Sequence, residues 1–166
     1  MHERPRIEKL RRGHAVDVFD CGKAPLNRFL SRHALQSQQA GSSNTYVACE
    51  GDEIVGFYSL AYGQIEFADA PERLTKGVAR HPVPIMLLAR LAIARTHQGK
   101  GMGSGLLKDA IIRTLQAAEI AGLRAICVHA KDAEARSFYE RYDFAPSPTD
   151  PMHLVLMLKD VRTMSQ

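Results

Sequence analysis

The segment Gln98-Gly99-Lys100-Gly101-Met102-Gly103 holds the residues whose types and spacing point most directly to chemistry. Three glycines at alternate positions follow the apolar run Leu91-Ala92-Ile93-Ala94 and precede the amphipathic run that starts at Leu106. Such a junction leads a strand into a helix, and the first-turn amides of that helix have no intrahelical partner. With the helix dipole they attract a phosphate, while Gly99, Gly101 and Gly103 let the backbone come close to it. Lys100 adds a positive charge at the rim, and Met102 and Ser104 flank the same turn. A merely flexible connection would not need glycine at every second position. A Walker loop is excluded, because it needs Lys-Ser or Lys-Thr after its last glycine and Gly103 is followed by Ser104-Gly105. A dinucleotide fingerprint needs a third glycine where Leu106 stands, and no acidic residue ends the next strand.

The elements around these residues are legible from periodicity. Ile7 to Leu10 is a short strand, and the Gly and Pro of Asp20-Cys21-Gly22-Lys23-Ala24-Pro25 mark a turn into a helix reaching about Gln39. Thr45 to Cys49 and Ile54 to Tyr62 are β-branched and aromatic, and the turn between them predicts an antiparallel hairpin. Glu66 to Pro84 holds three of the eight prolines and reads as a long loop that tertiary contacts or a ligand must order. Ile85 to Ala94 is apolar throughout, which predicts a strand buried on both faces. Leu106, Leu107, Ala110, Ile111, Thr114, Leu115 and Ala118 form the stripe of a helix ending near Gly122, and Ala125 to His129 is the next strand. Asp132 can cap a helix through Arg141, and Tyr142 to Ala145 and His153 to Leu158 read as final strands. Antiparallel strands at the front and a strand-helix-strand crossover later predict an α+β fold, not a doubly wound one.

Composition narrows the function further. The 166 residues suffice for one domain and are short for two, so the expectation is a single domain over residues 1–166 with one active site. Lys and Arg total 22 against 18 for Asp and Glu, an excess of four that favours an anionic ligand. Cys21, Cys49 and Cys127 are far apart with no CxxC spacing, and the seven histidines show no HxH or HxxxH pair, so neither disulfides nor a metal is expected. No apolar run approaches the length needed to span a bilayer, and the N-terminal residues lack the apolar core of a signal peptide, so the chain is expected in the cytoplasm.

The loop fits the Gln/Arg-x-x-Gly-x-Gly/Ala pattern with Gln98, Gly101 and Gly103, and Phe138-Tyr139-Glu140-Arg141-Tyr142-Asp143-Phe144 looks like an FYxxxGF ending. In these features the chain resembles the GNAT family of N-acetyltransferases over nearly its whole length. It departs at Asp143, where that family commonly has glycine. Within the family it is similar to the acetyltransferase toxins of bacterial toxin–antitoxin pairs, through Phe19-Asp20-Cys21-Gly22, Leu26-Asn27, Tyr46-Val47, Leu88-Ala89-Arg90, Asp109-Ala110, Val128-His129-Ala130 and Ser147-Pro148. The resemblance implies the GNAT fold, a mixed and mostly antiparallel sheet of six to seven strands flanked by about four helices.

It also implies acetyl-CoA as cosubstrate and transfer of its acetyl group to the α-amino group of aminoacyl-tRNA, which stops translation. A ribbon-helix-helix antitoxin and a homodimer are the implied partners. Backbone groups of Leu91, Ala92 and Ile93 are expected to hold the pantetheine, with the Ile93 amide donating to the oxyanion. Gln98, Gly99, Lys100, Gly101, Met102, Gly103, Ser104 and Phe138 complete the cofactor site. Tyr139 is the expected acid for the departing thiolate, since a tyrosine of ordinary pKa near 10 is protonated at neutral pH. A core aromatic beside Phe138 is the competing reading of Tyr139, and Tyr142 is the second choice of acid. Glu50, Asp52, Glu53 and Glu66 are acidic candidates by location, but no general base is assigned. Lys23, Arg28, Arg90 and Arg95 are the cations expected to meet tRNA phosphates, Arg90 first because it interrupts an apolar strand. Two other functions stay open: the same chemistry on a small amine or a protein N-terminus, and an inactive acyl-CoA-binding module.

Overall fold

The hairpin read from β-branched and aromatic residues is present. In the computed structural model, which describes residues 4–164, β2 (Asn44–Glu50) and β3 (Glu53–Ile65) pair antiparallel across the turn at Gly51 and Asp52, with a bulge between Ala48 and Cys49. Strand β1 (Arg6–Lys9) pairs antiparallel with β2, Ile7 facing Ala48. The later strands are β4 (Val83–Ile93), β5 (Ala125–His129), β6 (Ala145–Pro146) and β7 (His153–Met157). Seven strands form one sheet in the order β1-β2-β3-β4-β5-β7-β6. The β4–β5 pair is parallel, from Ile85 opposite Ala125 to Leu87 opposite Cys127, and β5–β7 and β6–β7 are antiparallel.

The helices are α1 (Ala24–Arg28), α2 (Ala34–Gln39), α3 (Glu72–Thr75), α4 (Met102–Ala118), α5 (Ala133–Arg141) and α6 (Leu158–Met164). A π-helical turn over Phe29–His33 joins α1 to α2, so the helix expected up to Gln39 forms with one wide turn inside it. None of the described helices is long and apolar enough to cross a membrane.

Residue contacts divide the chain into two compact units, one of residues 1–61 and 88–112, the other of 62–87 and 113–166. In the first, Phe57 is the centre of an apolar cluster with Phe19 edge-on at 5.5 Å and Phe29 stacked at 6.2 Å, closed by Leu10, Leu30, Val47 and Ile54. In the second, Leu74, Val83, Ile85, Ala125, Cys127, Val155 and Met157 pack together. All three cysteines are buried and unpaired, and burial pushes the Cys127 thiol up to about 12, so it behaves as a small apolar side chain.

Three expectations need correction. Strand β4 is not buried on both faces: Ala89 is exposed and Met86, Leu87, Leu91 and Ile93 are half-buried. Apolar side chains make up much of any protein surface, so uniform apolarity does not require two covered faces. The stretch from Glu66 to Pro84 is not bare loop. It contains a 3₁₀ turn at Phe67–Asp69 and the single-turn α3, held by buried Leu74, by the Ser147 hydroxyl donating to the Asp69 carbonyl at 2.6 Å, and by a two-pronged Arg73–Asp160 ion pair. Finally, Tyr142 and Asp143 do not start a strand. They close α5, with Asp143 at φ 72, and β6 begins only at Ala145. That left-handed position suits glycine best and tolerates Asp better than most, because a short polar side chain can bond locally.

Candidate active site

Strand β3 comes closest to β4 and the start of α4 at Gly56. A Cβ built on Gly56 of β3 would lie 2.9 Å from Leu106 Cδ1, 3.1 Å from Ile93 Cδ1 and 3.2 Å from the Ala92 carbonyl oxygen. Only glycine allows β3 to approach that closely. One turn further along α4, the Tyr58 hydroxyl donates to Asp109 Oδ2 at 2.5 Å, and the Tyr46 ring stacks on Tyr58 at 5.2 Å. The motif residues Tyr46 and Asp109 thus tie the hairpin to α4.

The loop leaves β4 through a 3₁₀ turn at Arg95–His97. Gln98 follows, and its side-chain amide donates to the Ile93 carbonyl at 2.9 Å and to the Cys21 carbonyl at 3.0 Å. Its role is to fasten the loop, a task its place in the motif does not reveal. The receiving segment is itself locked. Asp20 Oδ1 accepts from the Gly22 amide at 2.8 Å and from Asn27 Nδ2 at 3.0 Å, Asn27 Oδ1 accepts from the Cys21 amide at 2.8 Å, and the Arg95 amide donates to the Asp20 carbonyl at 2.9 Å. The Gly22 amide and then the Asn27 amide hold the Asp20 carboxyl below its ordinary range. Asp20 and Asn27 are site-building residues that sequence reasoning missed. The signal was there as an Asp-x-Gly turn with Asn seven residues on, and the side-chain bonds inside the turn are local, but the Arg95 amide and the Gln98 side chain that dock on its carbonyls lie far along the chain.

Beyond Gln98 the loop is open. Gly99 and Gly101 take φ values of 78 and 81, and nothing lies within 4 Å of a Cβ placed on either. Helix α4 begins at Met102, and the Gly105 amide already bonds the Gly101 carbonyl at 3.3 Å, so the amides of Met102, Gly103 and Ser104 precede the first helical bond. A positive-φ loop, an open cradle and free first-turn amides are what a pyrophosphate requires. The expected cofactor residues Leu91, Ala92, Ile93, Gln98, Gly99, Lys100, Gly101, Met102, Gly103 and Ser104 are therefore brought together in the first unit, with Ala92 buried and Lys100 exposed.

Phe138 and Tyr139 belong to the second unit. Asp132 caps α5 as expected, its Oδ1 accepting from the Ala135 amide at 2.8 Å. Tyr139 is the buried ring of the pair and Phe138 the half-buried one. Tyr139 meets Phe138 at 5.1 Å and Phe144 at 5.5 Å, both edge-on, while Tyr142 packs on Phe138 at 5.3 Å. Burial raises the Tyr139 pKa above its ordinary value. Its hydroxyl has no hydrogen-bond partner among the described residues.

The cations fare differently from one another. Arg90 lies with its guanidinium 3.6 Å over the Phe29 ring, and burial lowers its pKa. Arg95 is 70% exposed and only loosely paired with Asp20 at 3.8 Å. Lys23 just precedes α1 and Arg28 ends it, and both are exposed. Of the acidic candidates, Glu50 is engaged with His97 at 2.9 Å. Glu8, His14 and Cys49 bring ligand-type atoms within 4.8 Å of one another. There the Arg11 amide donates to His14 Nδ1 at 2.9 Å, so the ring proton sits on Nε2 and is given to Glu8 at 2.7 Å, which leaves no nitrogen lone pair for an ion.

A family model of the acetyltransferase (GNAT) domain matches residues 41–146. This chain belongs to the GNAT acetyltransferase family. The acetyltransferase is 48% identical over 149 residues to the tRNA-acetylating toxin of Mycobacterium tuberculosis, covering 90% of this chain and 89% of that one. Among solved structures it matches AtaT complexed with acetyl-methionyl-tRNAfMet at a TM-score of 0.91 and 26% identity, over 97% of this chain and 99% of the other. It matches AtaTR bound with AcCoA at a TM-score of 0.84 and 26% identity, over 98% and 99%. The mixed, mostly antiparallel seven-stranded sheet is the GNAT fold that the sequence resemblance implied.

Proposed function

We propose that this chain is an acetyl-CoA-dependent toxin that acetylates the α-amino group of aminoacyl-tRNA and so blocks translation, with residues 1–166 acting as one acyltransferase domain in the cytoplasm. The observation that carries the reading is the 48% identity, over nine-tenths of the chain, to a tRNA-acetylating toxin. The open glycine loop ahead of α4 supports it independently, because it fits the pyrophosphate of acetyl-CoA.

In this reading the amides of Met102, Gly103 and Ser104 receive the pyrophosphate, Lys100 adds charge at the rim, and Phe138 packs against the cofactor. Leu91, Ala92 and Ile93 present backbone groups to the pantetheine, and the Ile93 amide donates to the oxygen of the reacting carbonyl. Gln98 acts one step back by fixing Ile93 and the loop. Tyr139 delivers its proton to the leaving sulfur, and its raised pKa keeps that proton in place until it is needed. Arg28, Arg95 and Lys23 meet tRNA phosphates. A ribbon-helix-helix antitoxin and a second copy of the chain are the partners. The test is incubation of purified protein with acetyl-CoA and total charged tRNA, followed by identification of the aminoacyl ends. N-acetylated aminoacyl ends are expected, and acetylation of free amines alone would replace the reading with the small-amine one.

A further inference from the structure

A cavity of about 500 Å³ is lined wholly by residues of the second unit, and its lining is acidic although the chain as a whole carries a net charge of +4. Glu66, Asp69 and Asp150 line it with carboxylates, His129 and His153 with imidazoles, and Thr149 with a hydroxyl; no Lys or Arg is among the lining residues. The two histidines are cross-strand partners, His129 ending β5 directly opposite His153 of β7, and their rings stack at 4.1 Å with an interplanar angle of 25°. Neither ring has a hydrogen-bond partner among the described residues, and neither does the Glu66 carboxylate. Asp69 is oriented by the Thr149 hydroxyl at 2.7 Å and Asp150 by the Met152 amide at 2.9 Å.

Three carboxylates without a basic residue among them favour a cation over an anion here. Stacked this closely on a second ring, His153 is disfavoured as an imidazolium and can accept a proton. Burial, and then the neighbouring His129, lower the His153 pKa, while Asp150 and Asp69 pull it back up. Within the proposed function, the α-ammonium group is the one cationic end of an otherwise anionic acceptor, and no base has yet been assigned to deprotonate it. We propose that this cavity binds the α-ammonium group of the aminoacyl ester, and that His153, stacked on His129, takes its proton.

The proton passes from the ammonium nitrogen to a free ring nitrogen of His153 and from there to water. The nitrogen lone pair so released forms the C–N bond to the acetyl carbonyl carbon as the C–S bond breaks. The thiolate takes the Tyr139 proton, and the second proton shed by the nitrogen restores that hydroxyl. The inference rests on the aminoacyl-tRNA reading, so its test needs one arm that does not.

In the first arm, kcat/KM on charged tRNA is measured from pH 6 to 9 for wild type, His153→Gln and His129→Gln, with melting temperature and acetyl-CoA affinity as controls. His153→Gln is expected to lose tenfold or more at pH 6.5. The deficit should close towards pH 9, because an α-amino group of pKa about 7.7 to 8.0 then sheds its proton unaided. A purely structural role would lower the rate equally at every pH. Coincident profiles of wild type and variant, or a pH-independent loss, overturn the base assignment and leave the function standing.

In the second arm, the imidazole resonances of His129 and His153 are followed while alanine methyl ester is added, with methyl lactate, its hydroxyl counterpart, as control. Shifts with the ammonium ester alone support the cavity even if wild type proves inactive on charged tRNA. Unmoved resonances, or equal shifts with both esters, remove it.

Discussion

Two hydrogen bonds from one side chain explain why position 98 is a glutamine. Gln98 spans the carbonyls of Ile93 and Cys21, so it fixes the loop to the end of β4 and to the Asp20–Asn27 turn together. Each such bond is worth about 1 kcal/mol, and Gln98→Ala should raise the KM for acetyl-CoA about tenfold while leaving the fold intact, as initial rates and a thermal melt would show. An unchanged KM would mean the loop is set without it. Tyr139→Phe should behave in the opposite way, losing roughly 10² to 10⁴ in kcat with acetyl-CoA affinity by calorimetry unchanged, since it removes only a hydroxyl. Because burial raises the Tyr139 pKa, the protonated form persists through the ordinary tyrosine range. The alkaline loss of kcat assigned to this acid should therefore fall above pH 10, and the stability it contributes should be flat below that pH and decline only above it. The glycine loop was legible from type and spacing, whereas Tyr139 was named only through the family resemblance. The docking of Gln98 on the Asp20–Asn27 turn was not legible, because a hydrogen bond between residues distant in the chain leaves no periodic trace.

Elements were legible where one local pattern dominates: the β2–β3 hairpin, the α4 stripe, the Asp132 cap and β5 lie where alternation, helical spacing and capping put them. They were not where a tertiary demand overrides it. The π turn at Phe29–His33 starts at Phe29, the ring that packs against Phe57 and carries Arg90, and nothing in the helical spacing announces it. The end of α5 shows the same limit, since Asp143 must take a positive φ that the neighbouring residues do not predict. Asp143→Gly should change stability by no more than about 1 kcal/mol, relief of the left-handed backbone offsetting the entropy glycine adds to the unfolded chain. Asp143→Val should lose roughly 1 to 3 kcal/mol, because a β-branched residue is strained at that φ. Denaturant midpoints would separate the two. On β3, Gly56→Ala should both destabilise the protein and weaken acetyl-CoA binding. The added methyl meets Leu106 and the Ala92 carbonyl within 3.2 Å, and those residues belong to α4 and to the strand proposed to hold the pantetheine. A stable variant with normal affinity would show that β4 and α4 can shift apart without consequence.

At the scale of the whole molecule the net charge of +4 says only that an anion is welcome, and the sequence could not say which cations meet it. Arg90 was the strongest candidate because it interrupts an apolar strand, and the structure supplies a different reason for that interruption: its guanidinium covers the Phe29 ring at 3.6 Å. Arg28 is exposed without an ion-pair partner among the described residues, and Arg95 is exposed with only a loose one. If tRNA is the acceptor, each phosphate contact releases counterions, so the logarithm of kcat/KM should fall linearly with the logarithm of salt concentration, by about 0.7 to 0.9 in slope per contact. Arg28→Ala with Arg95→Ala should lower the rate at low salt and flatten that slope by the equivalent of two contacts, with acetyl-CoA affinity little changed because the proposed pyrophosphate site is made of backbone amides. Arg90→Ala should leave the slope at its wild-type value and instead lower the melting temperature, since what it loses is packing against Phe29. The reverse pattern, a flattened slope for Arg90→Ala and a wild-type slope for the double variant, would return Arg90 to the tRNA surface. A wild-type rate independent of salt would mean that no phosphate is contacted, and the acceptor would then have to be a small amine.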